Sequence, residues 1–161
     1  MILRVGTLAT TLLLASRLLS AQANPTCAVV PRSLTAMHDC YRPLLVFSPS
    51  GDDARLKRQV KDLDAAADDM MDRFVLFTPI VPDGRRVTTP TDAPYTVLDP
   101  QEMSRIRTQF HVPASVFAVL LLDEDGKTAL RGTTPIATDR LSALIDRMPR
   151  RQAEMRRPHA N

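Results

Sequence analysis

The chain has 161 residues, of which 44% are hydrophobic and 24% charged, and its formal net charge is +3 at pH 7. This length supports one domain with a substantial core and excludes two domains of ordinary size. Two Tyr and no Trp accompany the small charge, so the sequence lacks the aromatic platforms and the strong basic patch that nucleic acid binding requires.

The first 23 residues have the pattern of a cleaved signal peptide. Arg4 provides a basic start, residues 5–15 are mostly apolar, and residues 21–23 give the ending Ala-Gln-Ala. Arg17 interrupts the apolar run before the roughly 20 residues that a membrane span needs, and no later segment could cross a membrane. We therefore expect cleavage before Asn24, a periplasmic or secreted location and a mature net charge of +1.

Both cysteines of the chain, Cys27 and Cys40, lie in an N-terminal arm over residues 24–41, which has one short helical stretch near 33–38. An even pair in an oxidising compartment is expected to form a disulfide. The chain-entropy model gives such a short loop about 3 kcal/mol of stabilisation. The pair precedes the first strand and is not at a helix N-terminus, where a thiol pKa would be lowered. A structural bridge is therefore favoured over an atypical thiol-disulfide redox site.

A short strand and a long helix follow the arm. Residues 44–47 are apolar and come directly after Pro43, which is typical of a buried strand. Ser50, Asp52 or Asp53 can cap the helix that follows, because a side-chain oxygen there accepts the first backbone N–H groups. Apolar residues then recur at alternating steps of four and three, which predicts a helix face made of Leu56, Val60, Leu63, Ala67, Met70 and Phe74.

The middle of the chain continues with a strand, a loop and a helix. Residues 74–81 form a second apolar run, in which Pro79 indicates an edge strand or an early exit from the sheet. Residues 82–98 are rich in Pro and Thr and contain an Asp-Gly pair, which predicts a loop or an irregular hairpin. Asp99 can cap the next helix, which has Pro at its first position and runs to Phe110.

The last elements are a hairpin and a helix. Residues 116–122 are apolar, Asp125-Gly126 is a turn signal, and residues 128–131 return as a strand. Apolar residues at helical spacing predict a final helix over 138–148.

The order strand, helix, strand, helix, hairpin, helix predicts an α/β fold. With a right-handed crossover between the first two strands it gives a thioredoxin-like mixed sheet flanked by helices, over residues 42–149. Residues 150–161 form a basic tail, for which the sequence favours a solvated chain.

Three stretches together resemble a known bacterial family, and they read RPLLVFSPSGDDARLKRQ, FAVLLLDEDGKTALR and LIDRMPRRQAEMR. The family consists of exported proteins of unknown function with a thioredoxin-like fold, and it is related to the DUDES domains of vertebrate matrix and sushi-repeat proteins. Family members tend to have Lys where this chain has Glu124 and Ala129. The resemblance covers most of the mature chain and implies a fold that has lost its thiol chemistry.

The turn between the first strand and the first helix shows that loss, because no Cys lies near it and the CxxC motif is missing. N–H groups at the helix start and two nearby arginines could instead bind an anion. The candidate binding turn consists of Ser48, Ser50, Gly51, Arg55 and Arg58. Asp52 and Asp53 compete with this hypothesis, since as helix caps they would already occupy the same position.

Two further hypotheses receive less support. A hydrolase would use Ser48 or Ser50 as nucleophile and His111 as base, but the sequence has no Gly-x-Ser-x-Gly elbow. A metal site would draw on residues whose spacing matches no compact zinc pattern, namely His38, Asp39, Cys40 and His111. We therefore predict no catalytic residue, no metal and no cofactor.

The sequence as a whole favours an exported, non-catalytic thioredoxin-like module that binds an unknown partner, expected to be a protein. Exposed sheet edges, the loop over 82–98 and the Arg-rich tail are the expected contact surfaces. The alternative is an atypical thiol-disulfide redox protein that uses Cys27 and Cys40.

Overall fold

The computed structural model describes residues 27–82 and 87–157. The predicted signal peptide and the Asp83-Gly84 pair lie outside these residues. The described chain forms four strands, which are β1 (Arg42–Phe47), β2 (Val75–Ile80), β3 (Ala118–Leu122) and β4 (Thr128–Gly132). They make one sheet of order β2-β1-β3-β4, in which β1 and β2 are parallel and the other pairs are antiparallel. The predicted mixed sheet is confirmed.

Helices cover both faces of the sheet. In the described residues they are α1 (Ala54–Asp64), α2 (Ala67–Asp72), α3 (Pro100–Gln109), α4 (Thr138–Ile145) and α5 (Pro149–Met155), with a 3-10 turn at Thr35–Met37. Phe47 packs edge-on against Phe110 at the end of α3, whereas Arg42 contacts α5. Side chains five positions apart on a strand point to opposite faces, so α3 and α5 lie on opposite sides of β1.

Burial explains why three of the strands are mostly apolar, with Arg42 and Thr78 as buried exceptions. Every residue of β1, β2 and β3 is buried, as expected for strands covered on both faces. The residues of β4 are exposed or half-buried, and this strand forms one edge of the sheet. The core therefore sits around the three inner runs and the apolar faces of the helices.

The long helix predicted after β1 is interrupted. Of the three candidate caps Ser50, Asp52 and Asp53, Asp53 caps α1. The helix stops at Asp64 and α2 starts again at Ala67. Phe74, predicted to belong to the buried face, is 50% exposed and has a left-handed φ of 52°. No Gly or Pro marks the interruption in the sequence. At the end of α1, the Asp64 carboxylate accepts hydrogen bonds from the backbone N–H groups of residues 91–93 in a distant loop.

The basic tail also differs from its prediction. Residues 149–155 form α5, with Pro149 in the first turn, where its missing N–H costs nothing. Arg151 is buried, and Glu154 bonds to Arg42 of β1 at 2.9 Å. The expectation of a solvated chain was therefore wrong for Arg151 and Glu154, whose partners are distant in sequence, whereas the other residues of α5 are exposed.

Candidate functional site

The turn between β1 and α1 satisfies its own polar groups. Ser48 is fully buried, and its hydroxyl donates to the carbonyl of Ser50 at 2.7 Å. The carbonyl of Gly51 accepts a hydrogen bond from the hydroxyl of Thr88 at 3.0 Å. The Asp53 side chain accepts the backbone N–H of Arg55 at 2.8 Å. The hydroxyl of Ser48 therefore points to a backbone carbonyl and not to a base.

The two arginines of the predicted binding turn both have carboxylate partners. The Arg55 guanidinium donates to Asp53 at 2.6 Å and 3.0 Å and lies 4.7 Å from the ring centroid of Phe117. The hydrogen bond from Arg55 holds the pKa of Asp53 below its usual value. Arg58 contacts Asp62 at 2.9 Å on the exposed side of α1. An anion would have to displace these aspartates, so anion binding at the turn stays a prediction.

Arg107 of α3 closes the same end of the sheet. Its guanidinium donates to the carbonyls of Ser48 at 2.8 Å, Ile80 at 2.7 Å and Pro113 at 2.9 Å. It also lies 5.6 Å from the ring centroid of Phe47. Burial lowers the pKa of Arg107. One arginine thus bonds carbonyls at the ends of β1 and β2 and after α3.

The residues of the hydrolase and metal hypotheses do not form one site. His111 follows α3 in a left-handed conformation with φ 53° and is exposed. His38 lies 3.5 Å from Asp39 of the arm, and the sulfur of Cys40 is part of a disulfide. Across residues 27–82 and 87–157, no group of three or more His, Cys, Asp or Glu side chains could coordinate a metal ion.

The predicted disulfide between Cys27 and Cys40 is formed. Cys27 is exposed and Cys40 is half-buried. Between them the arm is fixed at further points, since the Tyr41 hydroxyl donates to the carbonyl of Ala28 at 2.8 Å and Met37 is completely buried. The disulfide therefore ties down the outermost part of an arm whose middle already packs on the core.

A second group of functional interest is the arginine cluster, which consists of Arg42, Asp72, Glu124, Arg151 and Glu154. Arg42 is fully buried and pairs with Glu124 and, at 2.9 Å, with Glu154. Arg151 pairs with Asp72 and, at 3.3 Å, with Glu154. Each of the three stretches that carry the family resemblance contributes to this cluster, which joins β1, the β3–β4 turn and α5. The acidic Glu124 here neutralises Arg42.

A cavity of about 590 Å³ lies between the arginine cluster and the disulfide. Met71 and Phe74 at its rim are 47% and 50% exposed. Arg150 contacts Asp39 at 2.6 Å there, and this hydrogen bond is the main reason that the pKa of Asp39 lies below its usual value. Exposed Met and Phe beside Arg is the composition that protein-protein contacts favour. The cavity therefore suits a polypeptide partner better than a single charged ligand, because most of its arginines already have carboxylate partners.

Sequence reasoning missed Arg107, Arg151 and Glu154. Arg107 gave no local signal, since at helical spacing it looked like an ordinary polar residue of α3. Arg151 and Glu154 lay within the stretches of family resemblance, and that was the one indication that they mattered.

No helix of the described residues is long and apolar enough to cross a membrane. The fold is shared with solved structures of a thioredoxin peroxidase, a peroxiredoxin and a peroxidoxin. Thioredoxin peroxidase I of Plasmodium yoelii is 16% identical with a TM-score of 0.56, over 80% of this chain and 84% of that one. The reduced 2-Cys peroxiredoxin of Plasmodium vivax is 17% identical with a TM-score of 0.56, over 74% and 84%. Peroxidoxin BcpB of Mycobacterium tuberculosis is 13% identical with a TM-score of 0.50, over 70% and 82%.

At these identities the likeness shows the fold alone, and it confirms the predicted thioredoxin-like α/β fold. No curated protein matches the chain. The family model of a domain of unknown function (DUF4174) matches residues 33–154.

Proposed function

We propose that this chain, which belongs to the family of the domain of unknown function DUF4174, is an exported, non-catalytic thioredoxin-like module that binds a protein partner. The observation that supports this most is the turn between β1 and α1. It contains no Cys, its Ser48 hydroxyl donates to a backbone carbonyl, and Arg107 contacts the ends of two strands beside it. No residue at that position could therefore serve as a thiolate nucleophile.

Activity assays on the purified protein test this proposal. Dithiol, peroxide and ester substrates should show no turnover above the rate without protein. Turnover that disappears on Ser48→Ala or His111→Ala would contradict the proposal. The export step is tested separately by N-terminal sequencing of protein from the cell envelope fraction, which should begin at Asn24.

The surface that we propose for the partner is the cavity beside the disulfide, with Met71 and Phe74 as its apolar contacts. A photoreactive residue placed at Phe74 in living cells should cross-link to a partner polypeptide, whereas the same residue at Val116, which is also partly exposed, should not. Equal cross-linking at the two positions would exclude this surface. The turn of Ser48, Ser50, Gly51, Arg55 and Arg58 is the second surface, and its exposed Arg58 is the position to probe in the same way.

A redox function of Cys27 and Cys40 is the second candidate, because Cys27 is exposed and both cysteines line a cavity that also contains Arg150, Arg151 and Arg157. Nearby cations favour a thiolate. In that reaction a partner dithiol would give two electrons and two protons to the disulfide, leaving two thiols here and a disulfide on the partner. Alkylation and intact mass in graded thiol buffers decide between the candidates. A bridge that persists to strongly reducing potentials supports a structural role, whereas exchange at mild potentials that Cys40→Ser abolishes supports redox function.

A further inference from the structure

Residues 94–96 run beside β2 and pair with Phe77 through a single isolated parallel bridge at Tyr95. The N–H of Phe77 donates to the carbonyl of Pro94 at 2.9 Å, and the N–H of Thr96 donates to the carbonyl of Phe77 at 3.0 Å. Side-chain exposure alternates along residues 95–98: Tyr95 44%, Thr96 2%, Val97 43% and Leu98 3%. This alternation is typical of an extended strand with one buried face.

The pairing of this segment with β2 stops after one bridge because a proline follows in β2. The next hydrogen bond along the two strands would need an N–H at Pro79, and proline has none. Pro79 therefore ends the hydrogen-bond ladder between β2 and this segment. The sequence had indicated an edge strand or an early exit from the sheet at Pro79.

The outer side of the segment is an open sheet edge. Because neighbouring residues of a strand direct their backbone groups to opposite sides, the N–H and C=O of Tyr95 and Val97 point away from β2. Across residues 27–82 and 87–157, none of these four groups has a hydrogen-bond partner. Open edges accept further strands unless charged residues protect them, and both residues here are exposed and apolar.

We propose that this edge pairs with the same edge of a second copy of the chain. In an antiparallel pairing, a two-fold axis passes between the Thr96 residues of the two protomers. Tyr95 of each protomer then lies opposite Val97 of the other, which gives two equivalent pairs. All four outward backbone groups of each protomer then gain partners. An aromatic residue facing a β-branched residue is also a favourable cross-strand pair. The register is thus self-complementary, which favours a second copy over an unrelated peptide.

Two further exposed apolar residues belong to the arm segment that precedes Pro31. The Thr96 hydroxyl donates to the carbonyl of Pro31 at 2.8 Å, which brings the N-terminal arm alongside the segment. Val29 and Val30 of that arm are 90% and 61% exposed. They can add apolar area to the contact between the two copies. This dimer goes beyond the proposed binding function and does not depend on it.

Sedimentation velocity over a range of protein concentrations tests the dimer. The wild-type protein should show a dimer fraction that rises with concentration. The double variant Tyr95→Lys/Val97→Lys should raise the dissociation constant at least about tenfold, because a charged edge opposes strand addition. Val116→Lys, a matched change at another partly exposed valine, should leave it unchanged. A wild-type protein that stays monomeric at about 1 mM, or dimerisation that the double variant does not weaken, would overturn the proposal.

The register is tested by single cysteines. Tyr95 and Val97, which face each other in the proposed dimer, would have Cα atoms about 5.5 Å apart, within the range of a disulfide. The two copies of Tyr95, or of Val97, are offset by two positions along the strands and do not face each other. A mixture of the Tyr95→Cys and Val97→Cys proteins should form a cross-linked dimer under mild oxidation, and neither protein alone should do so. Cross-linking of equal yield in the unmixed samples, or none in the mixture, would reject this pairing. Thermal unfolding of each variant shows whether it has folded.

Discussion

The guanidinium of Arg42 at the start of β1 lies 2.9 Å from the carboxylate of Glu154 on α5, across 112 positions of sequence. Arg42 is fully buried, so its charge depends on the few acidic groups that reach it. Glu124 supplies one of these groups and Glu154 the other. This pair is therefore the main polar contact that fastens α5 to the sheet.

Glu154→Ala should destabilise the fold by roughly 2 kcal/mol, because a hydrogen bond to a buried charge is lost while Glu124 still neutralises Arg42. Glu154→Gln, which keeps an acceptor, should cost less. Urea unfolding gives both values, and hydrogen exchange should show α5 opening more often in the alanine variant. Arg147→Ala, an exposed change nearby, is the control and should have little effect. Equal losses for the Glu154 and Arg147 variants would contradict the role of this pair.

Asp64 should make the stability depend on acid pH. Burial raises the pKa of its carboxyl, but hydrogen bonds from the N–H groups of Asp92, Thr91 and Ala93 outweigh burial and leave the pKa below its usual value. A carboxyl with a lowered folded-state pKa stabilises the fold above its unfolded pKa of about 4 and loses that contribution as pH falls through the folded value.

Asp64→Asn should therefore destabilise the protein by about 1 kcal/mol at pH 7. The difference between wild type and variant should shrink when pH drops below about 4. Urea unfolding at a series of pH values measures this difference. A gap that stays constant or widens toward acid pH would show that the Asp64 charge has no such role.

Two neighbouring aspartates allow a matched test of the α1 cap. Asp53 accepts the N–H of Arg55, whereas Asp52 is exposed and contacts Lys57 at 3.1 Å. Asp53→Ala should cost about 1 kcal/mol through loss of the cap, and Asp52→Ala less than about 0.5 kcal/mol. Thermal unfolding compares the two variants, and a larger effect of Asp52→Ala would mean that the cap has been assigned to the wrong residue.

Arg107→Met should destabilise the fold by roughly 2 to 3 kcal/mol, because three carbonyls lose one shared donor. Amide exchange at the β1–α1 turn should become faster in this variant. Arg105→Met removes an exposed arginine of the same helix, which contacts Glu102 at 3.1 Å, and should have an effect below about 0.5 kcal/mol. Similar unfolding midpoints for the two variants would rule out the role of Arg107 in closing the sheet end.

Local patterns were sufficient where a residue's partner lies nearby in the chain. The structure confirms the Asp99 cap, the apolar runs within β1 to β3 and the hairpin, and it selects Asp53 among the three candidate caps of α1. Caps and turns involve neighbouring residues, so local patterns predict them. The interruption of α1 after Asp64 was missed because no Gly or Pro marks it in the sequence. The bonds from residues 91–93 to the Asp64 carboxylate were missed because they join positions almost 30 apart. The same limit applies to the candidate site, where Ser48 and Arg107 meet only in the folded chain.

The sequence by itself determined that this is one thioredoxin-like α/β domain with a paired Cys27 and Cys40 and with no Cys at the β1–α1 turn. Hydrophobic periodicity, turn residues and residue identity carry that information, and each is local. Tertiary structure alone decided that α5 docks on Arg42, that Arg107 bonds three carbonyls, and that the outward backbone groups of Tyr95 have no partner within residues 27–82 and 87–157. Those outcomes depend on desolvation and on hydrogen bonds between distant segments, whose geometry exists only after the sheet has formed.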